Sequence, residues 1–370
     1  MKILHQSALI DCSMRLEYYM PSNTTIAEDL HGVFIGVRWI QVITAILSIV
    51  GSCLIIGYAV FQNVVKSPEV RPLFYLSVSD LFLALCWLIG AILHTKSCPH
   101  SLSCYSLQAM GQMFYISTFL YTLNYTWQTS NSLKRRLKPE LHQISHTQCQ
   151  IGRLATVLSS VLPVLFTIPV LSIGNAKKCY ENSTHSCLVL NVGSEITTDP
   201  SRSFSGVCTG LHIYRTVILL ATFCLTAIPI LVIMGHSKSF LQNHLRTSGL
   251  LQDQQWALIK LTSWSLTIFP LIFFCCSLPA VILTVLKLSG NKGTSNFYRC
   301  FYYIQAFTAV SQGFINCLAY GWTQQMLNRL KQRGWRDVDT QTPLLRSQKK
   351  QYASTQVSTC NLWPQGASAL

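Results

Sequence analysis

Asp80 is the only charged residue in the stretch LFYLSVSDLFLALCWLIGAIL, Leu73 to Leu93. A carboxylate held in hydrocarbon costs about 2.5–3.5 kcal/mol on insertion scales, so it must be paired or used. Asn316 lies in another apolar run at a comparable depth. At 1.5 Å rise per residue, Asp80 is roughly 10 Å and Asn316 roughly 6 Å from the cytoplasmic ends of their runs. Both can share a polar layer with Ser52, Ser117 or Thr118. Two uses fit such a layer: a sodium- or proton-sensitive switch, or a hydrogen-bonded clamp that locks helices together.

Other chemistries find less support. Arg215 and Lys260 lie close enough to the ends of their runs to snorkel toward water. A pump or transporter usually needs several buried ionisable groups, and no internal repeat is visible. The ten histidines fall in loops, tails or at the borders of apolar runs. His142, His146 and Cys149 have ligand-like spacing, but a fourth ligand is missing. No lysine in the last apolar run is placed for a retinal Schiff base. The residues therefore call for no metal, no cofactor and no enzymatic reaction.

The elements that must position Asp80 and Asn316 follow from composition. Half of the 370 residues are hydrophobic and 11% are charged, far below the quarter usual in soluble domains. Runs long enough to cross a bilayer span residues 39–61, 73–93, 105–127, 154–173, 213–234, 258–286 and 301–320. The third is the most polar, as a helix surrounded by other helices can be. These runs predict an all-α membrane protein, a seven-helix bundle over 39–320 behind an extracellular segment 1–38. The net charge of +15 is spread over short loops and the tail, which suits membrane topology and not nucleic acid. The larger share of Lys and Arg lies on the side of the C-terminal tail, so the N-terminus is expected outside. The sequons at Asn23 and Asn182 fall on that same external side; a third, at Asn124, lies inside a run and should be inaccessible.

After the seventh run, TQQMLNRLKQRGW predicts a short amphipathic helix over 321–335 lying on the inner leaflet, followed by a disordered cytoplasmic tail, 336–370. Pro229, Pro270 and Pro279 mark expected hinges, since proline removes a backbone hydrogen bond. Of the fifteen cysteines, Cys104, at the outer end of the third run, is the strongest disulfide candidate.

Four segments carry a family resemblance: GSCLIIGY in the first run, LSVSDL in the second, FPLIFFCCSLP in the sixth and SQGFINCLAYGWT in the seventh. Together they resemble the cyclic AMP receptor-like group of G protein-coupled receptors, near the secretin-like receptors. The resemblance implies a receptor at the plasma membrane, with an extracellular ligand and a heterotrimeric G protein as partners and membrane lipid as its solvent. It also implies that Asp80 is the acid of the second-helix motif. Asn316 and Tyr320 are similar to the seventh-helix Asn-x-x-x-Tyr switch, and Cys104 would pair with Cys187 in the second outer loop. The third helix ends NYTWQTSNSLKRR and lacks the usual Asp-Arg-Tyr, leaving Lys134, Arg135 and Arg136 to meet a G protein. A non-signalling scaffold or trafficking protein with the same fold is the alternative from another class.

The orientation is testable directly. Enzymatic deglycosylation should lower the mass of the expressed protein through Asn23 and Asn182, and a tail epitope should stain only after permeabilisation. Staining of the tail on intact cells would reverse the topology.

Overall fold

The computed structural model describes residues 24–62, 70–93, 102–137, 145–179, 206–247, 253–288 and 295–339. They form seven helices: α1 (Thr24–Phe61), α2 (Arg71–Leu93), α3 (Leu102–Leu137), α4 (Ser145–Ala176), α5 (Gly206–Thr247), α6 (Asp253–Leu288) and α7 (Ser295–Asp339). Five are long and apolar enough to cross a membrane, within 35–61, 71–93, 150–176, 206–244 and 259–286. The other two, α3 and α7, are too polar to qualify by hydropathy. Their polar residues face inward. In α3, Thr118, Thr122, Asn124 and Thr126 are all buried, and in α7 so are Gln305, Gln312 and Asn316. Groups buried among helices need no lipid compatibility, so a hydropathy count undervalues such helices.

Hydroxyls on α3 are satisfied at short range. Thr122 donates to the Thr118 carbonyl and Thr126 to the Thr122 carbonyl, each at 2.8 Å. This back-bonding hides a hydroxyl without needing a second helix. The sequon residue Asn124 is 4% exposed. It donates to the Thr156 hydroxyl of α4 at 3.0 Å and accepts from Gln128 at 2.9 Å.

α2 and α3 run antiparallel. Phe82 stacks on Phe114 and Tyr75 on Tyr121 along α2 and α3, so their sequence numbers run in opposite senses. The Arg38 Nε of α1 donates to the Ala91 carbonyl in the last turn of α2 at 2.9 Å, satisfying one of the carbonyls a helix end leaves free. The centre is aromatic: Phe119 of α3 meets Phe273 of α6 edge-on at 5.3 Å and Phe223 of α5 at 5.9 Å. Around it, α3 packs on α2, α4, α5 and α6. The outer surface is the reverse of a soluble protein's. Ile43, Leu54, Leu165, Leu225, Ile228 and Val232 are all exposed. Apolar side chains turned outward over this many helices suit lipid, not water.

Two expectations change. The segment 321–335 is not a separate helix, because α7 continues without a break to Asp339. No proline interrupts it, and at the junction Thr323 donates back to the Ala319 carbonyl of the same helix at 2.8 Å. Helix α1 likewise begins at Thr24, well inside the segment expected to precede the bundle. Pro229, Pro270 and Pro279 all lie inside unbroken helices. Most of the tail, with Asn23 and Asn182, lies outside the described residues.

α1 and α7 run in parallel and come closest at glycine. A Cβ added at Gly51 would stand 2.9 Å from the Phe314 Cα and 3.1 Å from the Gly313 carbonyl oxygen. Backbone cannot rotate away as a side chain can, so the helices themselves would have to part. Gly51→Leu should therefore destabilise the bundle by about 1–3 kcal/mol, the usual cost of overpacking. Gly57→Ala, whose new methyl would meet only Phe61 at 4.0 Å, should be close to neutral. Thermal unfolding of the two variants in detergent checks the difference; equal midpoints would mean that α1 and α7 are not held this close.

Candidate functional site

Asn316 Nδ2 on α7 donates to Asp80 Oδ2 on α2 at 2.9 Å. Asp80 is 2% and Asn316 1% exposed, so water cannot substitute for either partner. Each residue occupies the inward face of its helix. Asp80 shares its face with Ser77, Leu76 and Leu83, while Asn316 lies one turn from Gln312 and Gly313, as i, i+3 and i, i+4 spacing requires.

Polar atoms crowd this contact. A Cβ at Gly313 would stand 2.5 Å from the hydroxyls of Ser48 and Ser52 on α1 and 3.2 Å from the Asp80 Cβ. Both hydroxyls, the second Asp80 oxygen, Oδ1, and Gln312 Oε1 are buried with no hydrogen-bond partner among the described residues. Such atoms cost about 1–3 kcal/mol each when left unpaired. The two serine hydroxyls and the Asp80 side chain meet around Gly313, an arrangement that a cation, a proton or ordered water would complete. Gly313 is what lets the two serine hydroxyls come this close to α7, since a side chain there would displace them.

The other residues predicted for this layer separate. Ser52 belongs to it. Ser117 donates to the Met113 carbonyl at 2.9 Å and Thr118 to the Tyr115 carbonyl at 2.7 Å. Each hydroxyl has one proton and spends it on its own helix, so neither donates to Asp80. Tyr320 lies one turn beyond Asn316, packed with Leu73, Leu76 and Phe269, its ring edge-on to Tyr58 at 5.7 Å. Ser48 and Gly313 were not anticipated. The signal for Ser48 was its position four residues before Ser52, and for Gly313 three residues before Asn316.

At the other predicted sites, Lys134, Arg135 and Arg136 form the last turn of α3, where cations complement the helix dipole. Arg135 Nε donates to the Asn131 carbonyl at 3.4 Å. Leu133 and Leu137 beside them pack with Ile259 and Leu266 of α6 and close this end of the bundle. Cys104 is disulfide-bonded. Cys187, the partner the resemblance implies, lies outside the described residues. The second bridge, Cys179–Cys208, joins the end of α4 to the start of α5. The sequence did not single it out, because seven cysteines shared the external side. Among the described residues no group of three or more His, Cys, Asp or Glu could hold a metal.

A family model described as "Transmembrane protein 116" matches residues 34–354. The match takes in all seven helices and both members of the buried pair.

The pair predicts an asymmetry between two substitutions. Asp80→Leu leaves the Asn316 amide unpaired and should cost about 1–3 kcal/mol, lowering the unfolding midpoint and surface expression. Asp80→Asn keeps an oxygen that accepts from Asn316 and should fold nearly as well as wild type. Equal stability of Asp80→Leu and wild type would show that the pair is not buried as described.

Proposed function

This chain belongs to the transmembrane protein 116 family, and on that premise we propose that it is a receptor-like protein of the plasma membrane. An extracellular ligand rearranges its helices, and a heterotrimeric G protein reads the change at the end where α3 carries Lys134, Arg135 and Arg136. The observation that carries this reading is the incomplete polar layer around Asp80. A clamp that served stability alone would gain from pairing every polar atom, or from replacing them all with apolar groups. Here one carboxylate oxygen and the Ser48 and Ser52 hydroxyls have no partner among the described residues, at a glycine-spaced joint between α1, α2 and α7. Such a joint can exist in two states, with α7 bonded to Asp80 in one and the acid bound to a cation or proton in the other.

The scaffold reading has its own supporting observation. At the Lys134–Arg136 end, the Ser130 and Ser237 hydroxyls join α3 to α5 at 2.7 Å, and Leu133 and Leu137 are packed under α6. A receptor in its resting state and a protein that never opens share this closed arrangement. Signalling distinguishes them.

In cells expressing wild type, second-messenger output should change with a ligand panel or with external sodium. Asp80→Asn should reach the surface normally and lose the sodium dependence. Arg135→Ala with Arg136→Ala should reach the surface and lose G protein output. Failure of the wild type to activate any G protein class across the panel, with normal surface expression, would favour the scaffold.

A further inference from the structure

Of the two cations expected to snorkel, Arg215 and Lys260, only one is free to do so. Arg215 of α5 is tethered inward: its Nε donates to Gln112 Oε1 of α3 at 2.7 Å, and Gln112 Nε2 returns a bond to the Arg215 carbonyl at 2.8 Å. Lys260 of α6 is exposed, and so is Arg329 of α7. Asp80 is the only acid among the described side chains, and it is buried against Asn316. No described acid is therefore at hand to neutralise either exposed cation.

Each of these cations ends an exposed stripe. On α6 the stripe runs through Lys260, Trp264 and Leu271, and on α7 through Leu318, Trp322 and Arg329, spacings that keep each set on one helical face. The two tryptophans join the stripes across the seam. Their rings meet edge-on with centroids 5.6 Å apart, yet Trp264 is 50% and Trp322 41% exposed, so the pair is fixed sideways and open outward. The helices are antiparallel here, because Cys276 meets Ser311 where Trp264 meets Trp322. Lys260 and Arg329 therefore stand on the same side of the tryptophans, roughly 6 Å and roughly 10 Å further along their axes at 1.5 Å rise per residue. Leu271 and Leu318 stand on the other side.

Along the seam the surface thus changes from apolar, through indole, to cationic. A phospholipid presents its matching parts in the same order: acyl chains, glycerol esters, phosphate. Indole suits the middle level because its ring is apolar and its N–H seeks an acceptor. Two cations without an acid match a headgroup of net negative charge, whereas the ammonium of a zwitterionic headgroup would be repelled. A sterol would cover the leucines and leave both cations without a counter-charge. A second copy of the chain would bring the same cations and no exposed acid among its described residues.

We propose that the seam between α6 and α7 binds a diacyl phospholipid of net negative headgroup charge, its phosphate held by Lys260 and Arg329 and its glycerol esters against Trp264 and Trp322. The site requires only that the chain lie in a membrane and is independent of any signalling by Asp80. The full chain is purified in detergent, and its binding of phosphatidylglycerol, phosphatidylcholine with the same acyl chains, cholesterol and glycerophosphoglycerol is measured by native mass spectrometry. Phosphatidylglycerol should bind saturably and more tightly than phosphatidylcholine. Lys260→Gln and Arg329→Gln should each raise its Kd about fivefold, and the two together about thirtyfold. Lys349→Gln with Lys350→Gln, which removes the same charge from the tail, should leave it unchanged. Equal binding of the two phospholipids, an unchanged Kd in Lys260→Gln with Arg329→Gln, or an equal loss in the tail variant would overturn the site. Competition by glycerophosphoglycerol at lipid-like concentrations would overturn the lipid as the source of the phosphate, and competition by cholesterol would overturn the headgroup assignment. Both substituted side chains are exposed, so the unfolding midpoint should not move. Phosphatidylglycerol with a diazirine near the ester end of one chain is also photolysed with wild type. Label should fall on 264–271 or 318–322; label confined to other helices would sink the proposal.

Discussion

In hydrocarbon a carboxylate such as Asp80 has no water to fall back on, and the bundle is arranged around the hydrogen bond that replaces it. Asn316 must reach Asp80 from α7, so α7 has to lie against α2. That places α1 alongside both, close enough that Gly51 meets backbone and Gly313 faces two serines. Small residues at these points are therefore a consequence of the polar contact as much as a packing preference. A larger residue at either position would move the partner of a buried acid, and the penalty would be electrostatic as well as steric.

The same constraint explains which helices look unlike membrane spans. α3 and α7 supply the interior with amides and hydroxyls, and each interior group costs apolar character. α4 and α5 stand on the rim and are apolar over long stretches. Hydropathy thus sorts the helices by their position in the bundle, central or peripheral, and not only by whether they cross it.

Much of this could be read from the sequence, for a reason specific to each residue. Asp80 stood out because an acid in an apolar run has few acceptable environments, and Asn316 because it lay at matching depth in another run. Helical spacing was enough to include Ser52. It was not enough to exclude Ser117 and Thr118, because whether a hydroxyl bonds its own helix or a neighbour depends on a side-chain rotation that spacing does not reveal. Gly313 was missed since the absence of a side chain matters only once the atoms opposite are known. Its place at the outer end of the third run marked Cys104 as a disulfide candidate, but nothing of that kind chose Cys179 and Cys208 from the other external cysteines. The continuity of α7 past the seventh run was hidden by the change from apolar to basic composition, which alters the solvent a helix faces without ending it.

Asp80 and Arg215 carry opposite charges, and pairing them would be the cheapest way to hold both in a bilayer. The fold keeps them apart. Each lies about nine residues from the start of its helix, but α2 is antiparallel to α3, and α3 is matched in register with α5 through Gln112 and Arg215. The acid is held by α7 and the base by α3, so the two have different partners. Asp80 accepts from the Asn316 amide, and Arg215 donates to the Gln112 amide oxygen. A neutral amide orients a charge without cancelling it.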